Sequence, residues 1–189
     1  MRIADIYSFK GGEEVMESKF ATEFHEITEV VSVVNLSASR TKSRREQATP
    51  GMMPYRPSSL NRAFKEEFGT RNWKKERVPC EYSRSYYVEG YTPRSLPDNG
   101  FRELNFVKNR VGVEVQIRKN VSLTCSVCAV MTIFNRFQKV DCGVEIVPVK
   151  QLQKEMPPGI PFFEQFVWDL EHRGVSDIDI PVLILGIAG

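Results

Sequence analysis

The stretch "LNFVKNRVGVEVQIRKN", residues 104–120, decides the fold. Over 111–117 apolar residues alternate with other residues, which is the period-two pattern of a β-strand with one buried face. The apolar positions are Val111, Val113, Val115 and Ile117. On the opposite face Glu114 and Gln116 lie two positions apart, so their side chains are roughly 7 Å from each other. We therefore predict a strand that carries a carboxylate and an amide side by side on its polar face.

Periodic patterns on both sides of this strand predict the other elements. Apolar residues recur every three or four positions where we expect helices, and short apolar runs mark the strands. The predicted helices cover about 13–35, 57–69, 121–138 and 161–174, the second with a serine N-cap. The predicted strands cover 3–7, 104–107, 111–117, 140–147 and 181–188, and residues 78–100 are expected to form an irregular or hairpin excursion. This order predicts an α/β or α+β chain with a mixed central sheet flanked by helices.

The composition is that of one soluble globular domain. The 189 residues are 41% hydrophobic and 26% charged, which is enough apolar material to bury a core without disulfides or metals. No run of 18 apolar residues is present, and the N-terminal sequence "MRIADIYSFKGGEE" lacks the apolar stretch of a signal peptide. We therefore expect a single domain over residues 1–189, located in the cytoplasm and not in a membrane.

Four cysteines raise the question of zinc or redox chemistry. Cys125 and Cys128 form a C-x-x-C pair, but they lie inside a helical apolar pattern that includes Val127 and Met131. The Gly, Pro or His that flanks a zinc knuckle or a thioredoxin-type turn is missing there. We therefore predict that the two cysteines are buried structural thiols.

Positive charge is concentrated in one part of the chain. The net charge is only +2, yet residues 40–77 contain eleven basic and four acidic residues. Such a local field suits a polyanion such as DNA, although a solvated surface segment would have the same composition. Within it, residues 40–57 have no apolar period, so we predict a loop that contacts DNA phosphates. The candidate contacts are Arg40, Lys42, Arg44 and Arg45.

The polar face of the 111–117 strand is compatible with a metal-dependent nuclease. Carboxylates bind a hard cation such as Mg²⁺ through oxygen, the cation polarises a phosphodiester, and a further polar group orients the attacking water. Glu114 and Gln116, with an acid on the preceding strand, would meet these needs. An E-x-Q pattern on a strand is also what an ordinary polar sheet face looks like, so the pattern alone leaves both interpretations open.

Six segments, in the same order, resemble type II restriction endonucleases of the BstYI/BglII kind. These enzymes are a branch of the PD-(D/E)xK nuclease superfamily in which glutamine replaces the last lysine. The segments are "MRIADIYSFKGGEE", "ASRTKSRREQ", "SLNRAFKEEFGTRNWKKER", "NFVKNRVGVEVQ", "VDCGVEIVPVKQLQKEMPPGI" and "PVLILGIAG". They cover nearly all of the chain except about 80–100. The resemblance implies an α/β restriction-endonuclease-like fold and a bacterial or archaeal restriction-modification enzyme. It further implies a homodimer that hydrolyses double-stranded DNA with Mg²⁺ at a short palindrome containing GATC.

The resemblance also implies roles for individual residues. Glu114 takes the place of a metal ligand, and Gln116 takes the place of the lysine. The first acid of the family pattern lies nine residues before the glutamate, where this chain has Asn105. An asparagine brings no negative charge and takes no proton, so both Mg²⁺ affinity and hydrolysis should suffer. Glu76 is a candidate auxiliary acid.

Three explanations of Asn105 are compatible with the sequence. The chain is an engineered inactive form, or a natural relative that has lost cleavage, or Glu103 supplies the missing charge from the same strand face. A sequence-specific DNA-binding protein without catalysis, on the same fold, is therefore the alternative to a nuclease. A metabolic α/β enzyme is poorly supported, because no Gly-rich phosphate loop and no G-x-S-x-G motif is present.

Base recognition is expected beside the predicted strand and in one later loop. Arg118 and Lys119 directly follow the strand, and the loop "MPPGIP" covers residues 156–161. In that loop we single out Pro158 and Gly159 as candidate DNA contacts. Relatives carry serines where this chain has prolines, which lack a backbone donor, so the preference for the outer bases is expected to differ.

Overall fold

The structure is a computed structural model that describes residues 1–40, 54–83, 85–92, 94, 100–119 and 122–189. The helices are α1 (Gly12–Lys19), α2 (Ala21–Val33), α3 (Pro57–Thr70), α4 (Leu123–Cys125), α5 (Thr132–Arg136), α6 (Lys150–Gln153) and α7 (Phe163–Arg173). A π-helical segment, Ser126–Met131, joins α4 to α5. The strands are β1 (Arg2–Phe9), β2 (Lys74–Cys80), β3 (Gly100–Lys108), β4 (Val111–Val115), β5 (Cys142–Pro148) and β6 (Val182–Ala188).

The six strands form one mixed sheet in the order β1-β6-β5-β4-β3-β2. The three central strands β4, β5 and β6 are parallel, while β1, β3 and β2 pair antiparallel to their neighbours. The central strands are almost wholly buried, as the continuous apolar sequence of β6 predicts. The predicted α/β fold with a mixed sheet and flanking helices is confirmed. The predicted excursion over 78–100 is wrong at its start, because β2 continues to Cys80 and pairs with β3.

Helices cover both faces of the sheet. On one face α3 packs against β3, where the rings of Phe68 and Phe106 stack with their centroids 4.4 Å apart. On the other face the π-helical segment lies over two glycines of neighbouring strands. A methyl group added at Gly112 or Gly143 would lie 3.6 or 3.1 Å from the sulfur of Met131. Since these glycines have no side chains, the π-helical segment approaches the face of β4 that carries Glu114.

Two helix predictions need correction. The pattern over 13–35 predicts one helix, whereas the chain breaks at Phe20, which ends α1 and precedes α2 with a φ of −130°. The apolar period continues through the break, so the pattern does not reveal it. The predicted serine N-cap of α3 is also wrong. The helix begins at Pro57 with Arg56 as its N-cap, because a proline fits the first helical position, where no N–H is needed.

The prediction of buried structural thiols is wrong for the C-x-x-C pair. Cys125 is exposed and Cys128 is half-buried, and all four cysteines are free thiols. Burial raises the pKa of the Cys128 thiol to about 11, so it stays protonated at neutral pH. In the part of the chain that the structure describes, no helix is long and apolar enough to cross a membrane.

Candidate active site

The structure brings Asn105 and Glu114 into direct contact. The backbone N–H of Asn105 donates to Glu114 Oε1 at 2.8 Å, and the side-chain Nδ2 donates to Oε2 at 2.5 Å. A β-bulge in β3 accompanies this contact. Lys74 pairs with Val107 and Glu76 pairs with Leu104, so β3 has one more residue here than β2. Asn105 lies within the bulge, and its N–H bonds the carboxylate of Glu114.

Burial and neighbouring groups together determine the pKa of Glu114. Desolvation raises the pKa of this carboxyl above its ordinary value, while the two hydrogen bonds from Asn105 and the positive charge of Arg118 act in the opposite direction. The negative charge of Glu103 adds to the upward effect. The carboxylate is thus held in place by an amide donor, where the family pattern would have a second acid.

A second glutamate, which the sequence analysis did not single out, lies beside Glu114. Glu145 occupies the same register on β5, next to Glu114 on the parallel strand β4. Its side chain is fully buried, and burial together with the charge of Glu114 raises its pKa to about 8. A sequence signal for this pairing exists: the letters GVE occur at 112–114 and again at 143–145, and the two copies align in the sheet.

Gln116 connects Glu145 to the π-helical segment. Its backbone N–H continues the pairing with β5 by donating to the carbonyl of Ile146 at 2.9 Å. Its side-chain Nε2 donates to Glu145 Oε2 at 2.9 Å and to Ser126 Oγ at 3.1 Å. The hydroxyl of Ser126 donates to Glu145 Oε1 at 2.7 Å. These three buried side chains form a closed polar cluster below the cleft.

Two cavities meet at this site. The first, the acidic cleft, has a volume of about 360 Å³ and is lined by residues that include Glu103, Asn105, Glu114 and Gln116. The second, the basic groove, has a volume of about 490 Å³ and runs between α3 and the edge of β3 and β4. Its lining includes the basic residues Arg62, Lys65, Lys75 and Arg118, together with Asn61. Asn105, Val115 and Arg118 line both cavities, so the two form one continuous surface.

The other acidic candidates are already paired with cations. Glu103 contacts Lys75 at 2.6 Å and Arg77 at 2.7 Å, and the hydrogen bond from Lys75 is the main reason that its pKa is lowered. Glu76 pairs with Lys139 at 2.6 Å and lines neither the acidic cleft nor the basic groove. Glu103 therefore lies at the site with its charge largely neutralised, and Glu76 is directed to another partner.

Residues predicted to read bases lie at the borders of the acidic cleft. Arg118 lines the cleft, and Lys119 next to it is exposed. Gly159, with a φ of 86°, and Ile160 line a third cavity together with Ser122, which also lines the acidic cleft. The 156–161 loop therefore lines a neighbouring cavity, which shares Ser122 with the acidic cleft. Pro158 lies in that loop as an exposed residue.

Of the four candidate phosphate contacts, the structure describes one. Arg40 donates to Glu155 at 2.9 Å, and its guanidinium lies 4.2 Å from the centre of the Tyr55 ring. A phosphate contact by Arg40 would have to replace or share these partners. Lys42, Arg44 and Arg45 lie outside the described residues, as does most of the predicted 40–57 loop.

The donors at the site suit a hard cation in type but not in charge. The carbonyl oxygen of the Asn105 side chain and the carboxylate of Glu114 are ligand types that Mg²⁺ prefers, but together the two side chains carry at most one formal negative charge. Among the residues that the structure describes, no group of three His, Cys, Asp or Glu side chains could hold a metal ion. An aspartate at position 105 would add the second charge.

Comparisons with known proteins agree with this fold. The family model "Restriction endonuclease BglII/BglIII" matches residues 4–187. The fold is similar to the crystal structure of free BglII, with a TM-score of 0.63, 17% sequence identity, and coverage of 100% of this chain and 80% of that one. No curated relative matches the sequence. The resemblance to the BstYI/BglII kind, inferred from the sequence, is confirmed. Because the family model spans nearly the whole chain, this protein belongs to the BglII/BglIII family of restriction endonucleases.

Proposed function

We propose that the protein is a Mg²⁺-dependent type II restriction endonuclease of double-stranded DNA whose cleavage is weakened by Asn105. The observation that carries the proposal is the contact of Asn105 with both oxygens of Glu114. Here the amide acts as a donor that occupies the carboxylate, whereas an aspartate would act as a second acidic ligand. The fold and family therefore support a nuclease, and the residue at position 105 supports reduced activity.

The cation would be held by side-chain oxygens of Asn105 and Glu114, two residues that line the acidic cleft. When bound, Mg²⁺ would polarise the scissile phosphate and favour ionisation of the attacking water. Glu103 is a possible substitute for the missing acid, but its carboxylate would first have to leave Lys75 and Arg77. Replacing the missing charge in this way would break two ion pairs, so compensation by Glu103 is a weaker explanation than reduced cleavage.

DNA would lie along the basic groove, with the scissile phosphate at the acidic cleft. Lys65 and Arg118 line the groove, and positive side chains there would neutralise phosphates on both sides of the cleavage point. Arg118, Lys119 and the 156–161 loop then lie near the bases of the duplex. By analogy with its family, we propose a palindromic target that contains GATC.

A palindromic target favours a homodimer. Each subunit of a two-fold dimer meets an identical half-site, so one acidic cleft per subunit would cut one strand. In a restriction-modification system the same site on host DNA would be protected by methylation.

A plasmid cleavage assay with Mg²⁺ or Mn²⁺ tests the proposal. The chain and its Asn105→Asp variant are compared on DNA with and without GATC sites, and Glu103→Gln is added in both backgrounds. Site-specific cleavage by the Asn105→Asp variant alone supports an inactivated nuclease. Cleavage by the unmodified chain that is lost in Glu103→Gln identifies Glu103 as the compensating acid.

The second candidate is a DNA-binding protein without catalysis, which Asn105 favours. Its signature is specific binding of GATC duplexes by both forms, measured by fluorescence anisotropy, with no cleavage by either. That result would contradict the nuclease proposal while leaving the DNA-binding surface intact.

A further inference from the structure

Three buried side chains surround the amide of Gln116. Gln116, Ser126 and Glu145 are 5%, 7% and 0% exposed, and they lie just after β4, on the π-helical segment and on β5, respectively. Both hydrogens of the Gln116 amide are used: one is donated to Glu145 Oε2 and the other to Ser126 Oγ. The single hydroxyl hydrogen of Ser126 is donated to Glu145 Oε1. The donor hydrogens of the Gln116 amide and of the Ser126 hydroxyl are therefore all used.

The remaining polar atom of Gln116 is its carbonyl oxygen, Oε1. Among the described residues no group donates a hydrogen bond to this oxygen. It is also not fully buried, because the only fully buried side-chain polar atom without a partner among these residues is the hydroxyl of Thr132. Gln116 lines the acidic cleft together with Asn105 and Glu114. The amide nitrogen therefore faces the buried side chains of Ser126 and Glu145, and the amide oxygen remains available to accept a hydrogen bond in the acidic cleft.

The opposite orientation of the amide is disfavoured by the same neighbours. It would place Oε1 against Glu145 Oε2 and Ser126 Oγ, so that acceptors would face each other. A protonated Glu145 could donate to one of these contacts. Ser126 would have no hydrogen for the second contact, because its single hydroxyl hydrogen is already donated to Glu145.

We propose that Ser126 and Glu145 are positioning residues that fix Gln116 as a hydrogen-bond acceptor in the acidic cleft. This inference rests on the proposed nuclease function. Gln116 Oε1 then accepts a hydrogen bond from the attacking water and orients it. A lysine in this place would act as a charged donor, so the chemistry of the position is reversed. Gln116 takes no proton, because an amide oxygen is too weakly basic, and the proton of the water leaves to solvent.

The chain offers variants that separate positioning from folding. Ser126→Ala removes the acceptor of one amide hydrogen, and Glu145→Leu removes the acceptor of the other. Thr132→Val is the matched control, because Thr132 is buried on the helix that follows the π-helical segment and its hydroxyl has no partner among the described residues. All three changes keep the approximate size of the side chain.

The first measurement does not depend on cleavage. Hydrogen exchange of the Gln116 side-chain NH₂ is followed by NMR in the full-length ¹⁵N-labelled chain, with the signal assigned from a Gln116→Glu variant. The exposed Gln151 serves as the internal reference. We expect Gln116 exchange to be at least about tenfold slower than that of Gln151, because both hydrogens are bonded in a buried site. Ser126→Ala and Glu145→Leu should each remove most of this protection, and Thr132→Val should leave it unchanged.

The second measurement uses the Asn105→Asp background. There Ser126→Ala is expected to lower kcat by about tenfold or more with little change in KM, because the positioned water is lost while DNA binding is kept.

Exchange of Gln116 as fast as that of Gln151 overturns the inference, whether or not the protein cuts DNA. Full protection that survives both Ser126→Ala and Glu145→Leu also overturns it. A silent Asn105→Asp variant with a protected Gln116 refutes only the proposed function and leaves the fixed amide standing.

Discussion

Glu114 and Glu145 lie side by side at the same register of two parallel strands. Glu114 reaches the acidic cleft and accepts two hydrogen bonds from Asn105. Glu145 is sealed below it and accepts hydrogen bonds from Gln116 and Ser126. Burial raises the pKa of both carboxyls, and the negative charge of Glu114 raises the pKa of Glu145 further. The site therefore combines one accessible carboxylate with a second acid that is largely protonated at neutral pH.

The raised pKa of Glu145 predicts a stability that depends on pH. Folding raises this pKa from 4.5 to about 8, so the folded protein keeps a proton that the unfolded chain releases between these pH values. The stabilisation is complete below the unfolded pKa and is lost as pH rises through about 8. The effect is on the order of a few kcal/mol. Urea unfolding over this pH range should show the free energy of unfolding falling with pH, and Glu145→Gln should flatten that slope.

A matched control for the pH experiment is Glu89→Gln, because Glu89 is exposed. This variant should keep the slope of the unmodified protein. An unchanged slope in Glu145→Gln would mean that Glu145 is not the group that binds the extra proton.

Asn105→Asp is expected to make the protein less stable without metal and responsive to metal. The change replaces a hydrogen-bond donor to Glu114 with a second carboxylate, which should lower the free energy of unfolding by about 1–3 kcal/mol. Saturating Mg²⁺ or Mn²⁺ should restore it, since a cation that binds only the folded state stabilises that state. Thermal and urea unfolding with and without metal measure both effects.

Asn105→Ala is the control for this prediction. It loses the side-chain hydrogen bond to Glu114 but adds no charge, so metal should restore little stability. If Asn105→Asp also shows no response to metal, residue 105 does not contribute to a cation site.

The sequence predicted the local part of this site but not its long-range part. The alternation over 111–117 correctly placed Glu114 and Gln116 on one face, because a strand's period of two is a local property. It did not reveal that Glu145 lies beside Glu114, because the register between two strands is set by tertiary packing across the whole segment between them. The β-bulge at Asn105 was missed for the same reason, since a bulge exists only relative to the partner strand.

The break at Phe20 has a different cause. Its neighbours continue the apolar period, so hydrophobicity predicts one helix, while Phe20 takes a non-helical backbone conformation that separates α1 from α2. Gly12, at the first position of α1, illustrates how tightly this region is packed. A Cβ added there would lie 2.2 Å from the backbone carbonyl carbon of Val182 in β6.

Gly12→Ala is therefore expected to destabilise the protein severely. The clash involves backbone atoms of the central sheet, which cannot move away as a side-chain end could, and we expect a loss of about 3 kcal/mol or more. Gly69→Ala is the matched control. Gly69 lies in the last turn of α3 with nothing within 4 Å of an added Cβ, so alanine should stabilise by about 0.5–1 kcal/mol. Urea unfolding measures both, and equal effects would contradict the packing seen at Gly12.

Lys65 tests whether the basic groove binds DNA. Its side chain is exposed on α3 and lines the groove that continues into the acidic cleft. If it neutralises one phosphate, Lys65→Glu should weaken binding of duplexes with and without GATC to a similar extent, because phosphate contacts carry no sequence information. The slope of log affinity against log salt should fall by about one, as expected for one lost contact. Fluorescence anisotropy over a salt series, in the absence of divalent metal, measures both quantities.

Lys19→Glu makes the same change of charge at an exposed position in α1 that lines neither cavity, and it should leave the salt slope nearly unchanged. Equal losses from Lys65→Glu and Lys19→Glu would show that net charge, and not the groove, determines binding.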